Sequence, residues 1–185
     1  FTMKVTIDGQ EIEVEAGTTI LQAARMIGGE SVPPAMCYYS KLKGTGGKCR
    51  CCLVDVTKGS EADPRPMPKL VASCVTGCQD GMEIASTKSD RVKEARKAVT
   101  EFLLINHPLD CPVCDQAGEC DLQNLSFEHG KLQQRFIEEK RTFEPEDIGD
   151  KIQLHMNRCI VCQRCVEVAD QLTDKRVHGV LNRGD

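Results

Sequence analysis

Twelve cysteines in 185 residues fall into three groups, and the spacing within each group narrows the chemistry it can perform. The first is Cys37, Cys49, Cys52 and Cys74, spaced C-x11-C-x2-C-x21-C around the loop CYYSKLKGTGGKCRCC. A long loop holding one C-x2-C pair, with one distant cysteine, suits a plant-type [2Fe–2S] cluster. Thiolates must wrap a small anionic core, and glycines let backbone N–H groups approach its sulfurs. Gly44, Gly46 and Gly47 are placed for this, and Arg50 brings positive charge. Structural zinc is the alternative, but it asks for two close C-x2-C pairs where this segment has one. Cys51 and Cys78 are left over and read as plain thiols, buried or close to the cluster. GTGGKC does not complete a dinucleotide-binding glycine pattern, and Leu42 stands where a P-loop needs its first glycine, so no flavin or NAD site is expected here.

The second group is His107, Cys111, Cys114 and Cys120, spaced H-x3-C-x2-C-x5-C in NHPLDCPVCDQAGEC. Four such ligands suit a [4Fe–4S] cubane or tetrahedral zinc, and spacing leaves both open. With a cubane, imidazole in place of one thiolate removes a negative charge and raises the reduction potential. The third group is Cys159, Cys162 and Cys165 in NRCIVCQRC. C-x2-C-x2-C is the bacterial cubane signature, whose fourth ligand lies further along the chain. No cysteine follows Cys165, so this set reads as incomplete: empty, holding a three-iron remnant, or completed from outside.

The elements that must position these groups follow from pattern and punctuation. Met3 to Ile7 and Glu11 to Val14 alternate around Asp8-Gly9, a hairpin signal. Thr18 or Thr19 caps a helix from Ile20 to Ile27 that ends at Gly28-Gly29. Cys52 to Val56 and Leu70 to Cys74 read as strands separated by the proline-rich loop Lys58 to Lys69. Asp80-Gly81 turns into a last strand, Met82 to Ala85. From Ser89 to Asn106 the period becomes helical, with Val92, Ala95, Val99, Phe102 and Leu103 on one face and Pro108 beyond the end. Lys88, Arg91, Lys93, Arg96 and Lys97 are assigned to its outer, solvated face. A strand from Ile152 to His155 and a helix from Cys162 to Leu172 close the pattern. The expected fold is α+β: a β-grasp [2Fe–2S] ferredoxin-like domain over 1–86, a helix with a small one-His/three-Cys [4Fe–4S] domain over 87–140, and the start of a bacterial ferredoxin-like [4Fe–4S] domain over 141–185.

Composition bounds the rest. Hydrophobic residues make up 40% and charged residues 28%, with no Trp, five Phe and two Tyr. Cores so poor in large aromatics need a metal or disulfide staple. The opening FTMKVTIDGQEIEVE alternates like a strand and reads as neither a signal nor a transit peptide, so the cysteines are expected in a reducing compartment as metal ligands. Phe1 and Thr2 read as an addition before a natural start at Met3. No apolar run approaches the roughly 18 residues a membrane span requires, so no direct membrane insertion is expected. A net charge of −4 argues against nucleic acid as a partner.

The order of the groups, with the strings GGKCRCC, NHPLDCPVCDQAGECDLQ and NRCIVCQRC, resembles the large iron–sulfur subunit of respiratory complex I, the NADH–quinone oxidoreductase of bacteria. The resemblance covers essentially the whole chain. It implies that Cys37, Cys49, Cys52 and Cys74 bind [2Fe–2S] and that His107, Cys111, Cys114 and Cys120 bind [4Fe–4S]. It also implies a further [4Fe–4S] on Cys159, Cys162 and Cys165, with its fourth cysteine beyond Asp185. Gly77-Cys78 departs from the Pro-Val common in the family. The resemblance implies a one-electron relay from NADH and FMN in a partner subunit towards quinone, through downstream iron–sulfur subunits. The chain would then be cytoplasmic, peripheral to the inner (plasma) membrane, and a subunit of an enzyme without a self-contained active site. The alternatives are the iron–sulfur diaphorase subunit of an NAD-linked hydrogenase or formate dehydrogenase, and a zinc-stapled interaction module.

Overall fold

Asp8 and Gly9 both adopt left-handed backbone conformations, φ +51° and +86°, and so turn the chain in two residues. Strand β1 (Thr2–Ile7) therefore returns directly as β2 (Gln10–Glu15), with Ile7 opposite Gln10 and Val5 opposite Ile12. In this computed structural model, which describes residues 1–181, the hairpin opens a five-stranded sheet. Helix α1 (Ile20–Ile27) follows, started by a capping box in which the Thr19 hydroxyl accepts from Gln22 N while the Gln22 side chain accepts from Thr19 N. Strands β3 (Leu53–Lys58), β4 (Val71–Ala72) and β5 (Met82–Ala85) complete the sheet in the order β2-β1-β5-β3-β4. β5 inserts parallel to β1 and antiparallel to β3. Val5, Ile7, Val14, Ile20, Val54, Val56, Met82 and Ile84 fill the space between sheet and helix. Each such side chain contributes about 1.5–3 kcal/mol on burial. This is the β-grasp arrangement.

Helix α2 (Asp90–Leu104) leaves the sheet under a Ser89 cap, its hydroxyl accepting from Val92 N. Its position is fixed from the hairpin turn as well. The buried Asp8 carboxylate accepts from Ser86 N at 2.7 Å, Thr87 N at 3.0 Å and the Thr87 hydroxyl at 2.9 Å. The helix buries Val92, Arg96, Thr100 and Glu101, and this corrects the expected faces. Arg96, assigned above to the solvated face, is 3% exposed, whereas Phe102, assigned to the apolar face, is 74% exposed. Arg96 turns inward because two oxygens of the sheet region, on Leu53 and Ser86, receive it.

Helix α3 (Asp121–His129), which pattern did not reveal, packs on α2. It is weakly amphipathic and buries only Leu122 and Leu125. A two-stranded ribbon, β6 (Glu146–Asp147) with β7 (Gln153–Leu154), precedes α4 (Arg164–Leu172). The expected helix start at Cys162 moves because Gln163 has a left-handed backbone. Residues 182–185 of the expected third segment lie outside the described residues.

Candidate iron–sulfur centres

The first group is brought together in the interior. Cys37, Cys49, Cys52 and Cys74 are each 4% exposed or less. The Cys52 and Cys74 sulfurs stand 3.3 Å apart, and the Cys37 sulfur bonds to the thiols of both Cys49 and Cys74. Backbone donors point at the same atoms: Gly47 N lies 3.2 Å from Cys74 Sγ, and Lys48 N and Cys49 N each lie 3.4 Å from Cys37 Sγ. This is how sulfurs at a charged cluster are stabilised. Gly46 is required there. At φ +109° it sits so close that a Cβ would lie 3.2 Å from Cys74 Sγ and 3.1 Å from Val75 Cγ1.

Crowding makes these thiols compete for protons. Cys37, accepting from the thiols of Cys49 and Cys74, is held far below the usual thiol range, and Cys52, beside the Cys74 thiol, is lowered to about 6. Cys49 and Cys74, as the donors, are driven well above it. Four thiolates cannot share this space without cationic compensation, which iron supplies. The residues therefore fit a cluster. Cys51 is buried, with its sulfur 3.7 Å from Cys49 O and in contact with the Cys49 thiol. Cys78 lies in the hydrophobic core instead, its thiol pushed up to about 11 by burial. Gly44 packs against Glu167, and Arg50 is exposed at φ +63°.

The second group is more open. Helix α2 ends at Leu104, and His107 follows in the chain that leaves it, half-buried. Burial, then the charge of Lys140, lowers its pKa against the opposing charge of Asp110, and so favours the neutral imidazole, the form that ligates metals. Cys111 begins a short 3-10 turn ending at Val113 and is exposed, whereas Cys114 and Cys120 are partly buried. Cys120 stands at the N-cap of α3 without a side-chain cap bond. The Lys140 ammonium caps the end of α2, donating to Leu104 O and Ile105 O at 2.8 Å each.

In the third group, Cys159 and Cys165 are exposed and Cys162 is partly buried. The protein around Cys159 desolvates its thiol and raises its pKa, Val161 N at 3.3 Å opposes this, and Cys162 and Cys165 are near enough to add repulsion. Among the described residues no three His, Cys, Asp or Glu side chains form a site for a single metal ion.

The three groups meet. Cys37 and Cys49 of the first share one apolar cluster with Met36, Leu122 and Leu125, and Cys120 of the second and Cys162 of the third pack against it. A cleft of about 670 Å³ lies alongside, lined by Cys49, His107 and Cys159 together with Val99 and Phe143. Two contacts that spacing did not reveal tie the groups together. Arg158, one residue before Cys159, bonds to Asp110, one residue before Cys111. Glu167 of α4 pairs with Lys48 at 3.3 Å, while Gln171 accepts from Lys43 N and donates to Lys43 O, so α4 clamps the loop between Cys37 and Cys49. Their partners lie 48 to 128 residues away, which is why no local pattern signals them.

Comparison with known proteins follows the same division. Residues 2–89 match a 2Fe-2S iron-sulfur cluster binding domain, residues 96–135 the NADH-ubiquinone oxidoreductase-G iron-sulfur binding region, and residues 149–185 the ferredoxin-like domain of NADH-quinone oxidoreductase subunit 3. The chain is 46% identical over 183 residues, 99% of its length, to the G subunit of NADH-quinone oxidoreductase from Rickettsia bellii, of which it covers 25%. It is also 46% identical over 185 residues to the mitochondrial NADH-ubiquinone oxidoreductase 78 kDa subunit of Candida albicans, of which it covers 24%. The chain thus spans about a quarter of the length of these relatives. A solved structure of an NAD+-reducing [NiFe]-hydrogenase in its H2-reduced state matches 89% of this chain and 64% of that one, with a TM-score of 0.74 and 28% identity. The chain carries a [2Fe–2S] domain and [4Fe–4S] regions on an α+β fold.

Proposed function

Because this chain corresponds to the N-terminal, cluster-binding region of the large iron–sulfur subunit of NADH-quinone oxidoreductase, we propose that it relays electrons within such a complex, from an NADH- and FMN-binding subunit towards quinone. The observation that carries this reading is the convergence of all three cysteine groups on one apolar cluster. An electron carrier needs its centres adjacent, and an independent zinc staple does not.

The ligands we assign are Cys37, Cys49, Cys52 and Cys74 to a [2Fe–2S], and His107, Cys111, Cys114 and Cys120 to a [4Fe–4S]. Cys159, Cys162 and Cys165 are assigned to a second [4Fe–4S]. When bound, these groups accept and release single electrons. The chain supplies the rest. Gly47, Lys48 and Cys49 aim N–H groups at the first sulfurs. Burial favours the neutral form of His107, and Met36, Leu122 and Leu125 supply the apolar cluster against which Cys37, Cys49, Cys120 and Cys162 pack. We assign three functional units at 1–86, 87–140 and 141–185. The partners would be the flavin-bearing subunit and downstream iron–sulfur subunits, on a complex peripheral to the inner membrane. Among the described residues no helix is long and apolar enough to cross a membrane.

Iron, acid-labile sulfide and zinc per chain, measured on protein purified without oxygen, test the reading. About six irons with matching sulfide mean two clusters, and about ten mean three. Zinc without sulfide overturns the relay. Cys52→Ser should remove the [2Fe–2S] signal, whereas Cys51→Ser and Cys78→Ser should leave it.

The hydrogenase likeness favours a second reading, an iron–sulfur subunit delivering electrons between hydrogenase and nicotinamide. Recovery of the chain in a complex that reduces quinone with NADH supports the first, and recovery with a hydrogen-oxidising subunit the second.

A further inference from the structure

Arg96 carries a positive charge into the interior and has no part in the ligand sets. It is 3% exposed, and its Nη2 donates to Ser86 Oγ at 2.9 Å and to Leu53 O at 3.2 Å. Both acceptors are neutral, and its Nε is buried with no hydrogen-bond partner among the described residues. A guanidinium held this way is costly unless negative charge lies near. Two sources face it. One is the buried Asp8, whose carboxylate is already bonded to Ser86 N, Thr87 N and the Thr87 hydroxyl. The other is the first cysteine group: Leu53, which receives Arg96, directly follows Cys52 in the chain, and burial lowers the Arg96 pKa while negative charge at Asp8, then at Cys52, opposes this. His129 at the end of α3 also faces Arg96 and is held neutral by burial and by that charge.

We propose that Arg96 is a positioning charge for the [2Fe–2S] centre: fixed on the carbonyl of Leu53, the residue after Cys52, it stabilises the negative charge that one-electron reduction adds, and so holds that centre's potential up. The inference rests on the ligand assignment made above. Charge, burial and proximity give its sign. A cation in a weakly polarisable interior acts on a neighbouring charge far more strongly than one in water, and salt screens it little. Asp8, on the other side of the same Ser86 link, acts with the opposite sign.

The test is an anaerobic redox titration of the cluster-loaded chain with mediator dyes, following the [2Fe–2S] electron paramagnetic resonance signal where the cubane signals have broadened away. Arg96→Met should move the potential negative by at least a tenfold change in the reduction equilibrium, about 59 mV for one electron. Arg96→Lys should stay near the parent, and Asp8→Asn should move it positive. An intact signal at an unmoved potential in Arg96→Met overturns the inference, as does a Lys variant displaced as far as the Met variant. Should Arg96→Met not hold its cluster, Asp8→Asn decides, and the absence of a positive shift overturns it. A parent chain with no [2Fe–2S] signal overturns the ligand assignment itself, a result distinct from an unmoved potential.

Discussion

Arg158 and Asp110 lie 3.2 Å apart across 48 residues of chain, and each stands one residue before the first cysteine of a cysteine group. The pair therefore fixes the second and third cysteine groups relative to each other at the point where both begin. With side chains 25% and 40% exposed, it is neither a fully screened surface pair nor a buried one.

Removing either partner should loosen both cubane segments. Arg158→Ala and Asp110→Ala are expected to lose iron to a chelator about two- to fivefold faster than the parent, the rate equivalent of a 0.5–1 kcal/mol ion pair. The swapped pair, Asp110→Arg with Arg158→Asp, should recover much of the difference. Stopped-flow bleaching of the iron–sulfur absorbance measures this. Equal rates in all four proteins would show that the pair does not hold the segments.

Gly46→Ala should act on the first centre alone. Its positive φ would cost about 1–3 kcal/mol in a residue with a Cβ, and that Cβ would press on Cys74 Sγ and Val75. Iron per chain should fall by about two, with [4Fe–4S] spectra retained. A full complement of iron in this variant would refute the close approach.

Iron removal should unfold the chain unevenly. The β-grasp sheet has its own apolar core, whereas Cys111 to Cys120 is largely exposed and α3 buries only two side chains. Metal binding there is folding free energy. After chelation, limited proteolysis should cut between residues 107 and 125 while the sheet survives, with helical circular dichroism reduced. An unchanged digestion pattern would contradict this.

The Glu101 carboxylate predicts an acid response. It bonds to Arg135 at Nε and Nη2 and to Arg135 N, which lowers its pKa from 4.5 to about 2. A depressed carboxyl stabilises the folded chain above the unfolded pKa, and the contribution declines as pH falls from about 4.5 towards 2. The urea midpoint of the parent should exceed that of Glu101→Gln above pH 4.5, and the gap should close on acidification. A gap independent of pH would mean that the carboxylate charge is not what Arg135 recognises.

What could be read in advance depended on how local its cause is. The hairpin at Asp8-Gly9 and the Thr19 and Ser89 caps are set by neighbours within a few residues, and they stand in the structure as read. Helix α2 was legible as a helix but not in its faces. Arg96 is a charged residue by type, and only the folded sheet region, through Leu53 O 43 residues away and Ser86 Oγ, gives it a reason to be inside. Helix α3 escaped because LQNLSFEH shows little periodicity and takes its stability from α2. Convergence of the three cysteine groups is likewise a property of packing, visible in no single motif.

The clamp of α4 on the loop between Cys37 and Cys49 has a consequence in time. Lys48 meets a partner, Glu167, made 119 residues later, and Lys43 meets Gln171 after 128. At ribosomal rates of about 5–20 residues per second, the loop waits roughly 6–26 s for these contacts. The nascent chain thus passes through an interval in which its sheet is complete and the loop around its first four sulfurs is still unclamped.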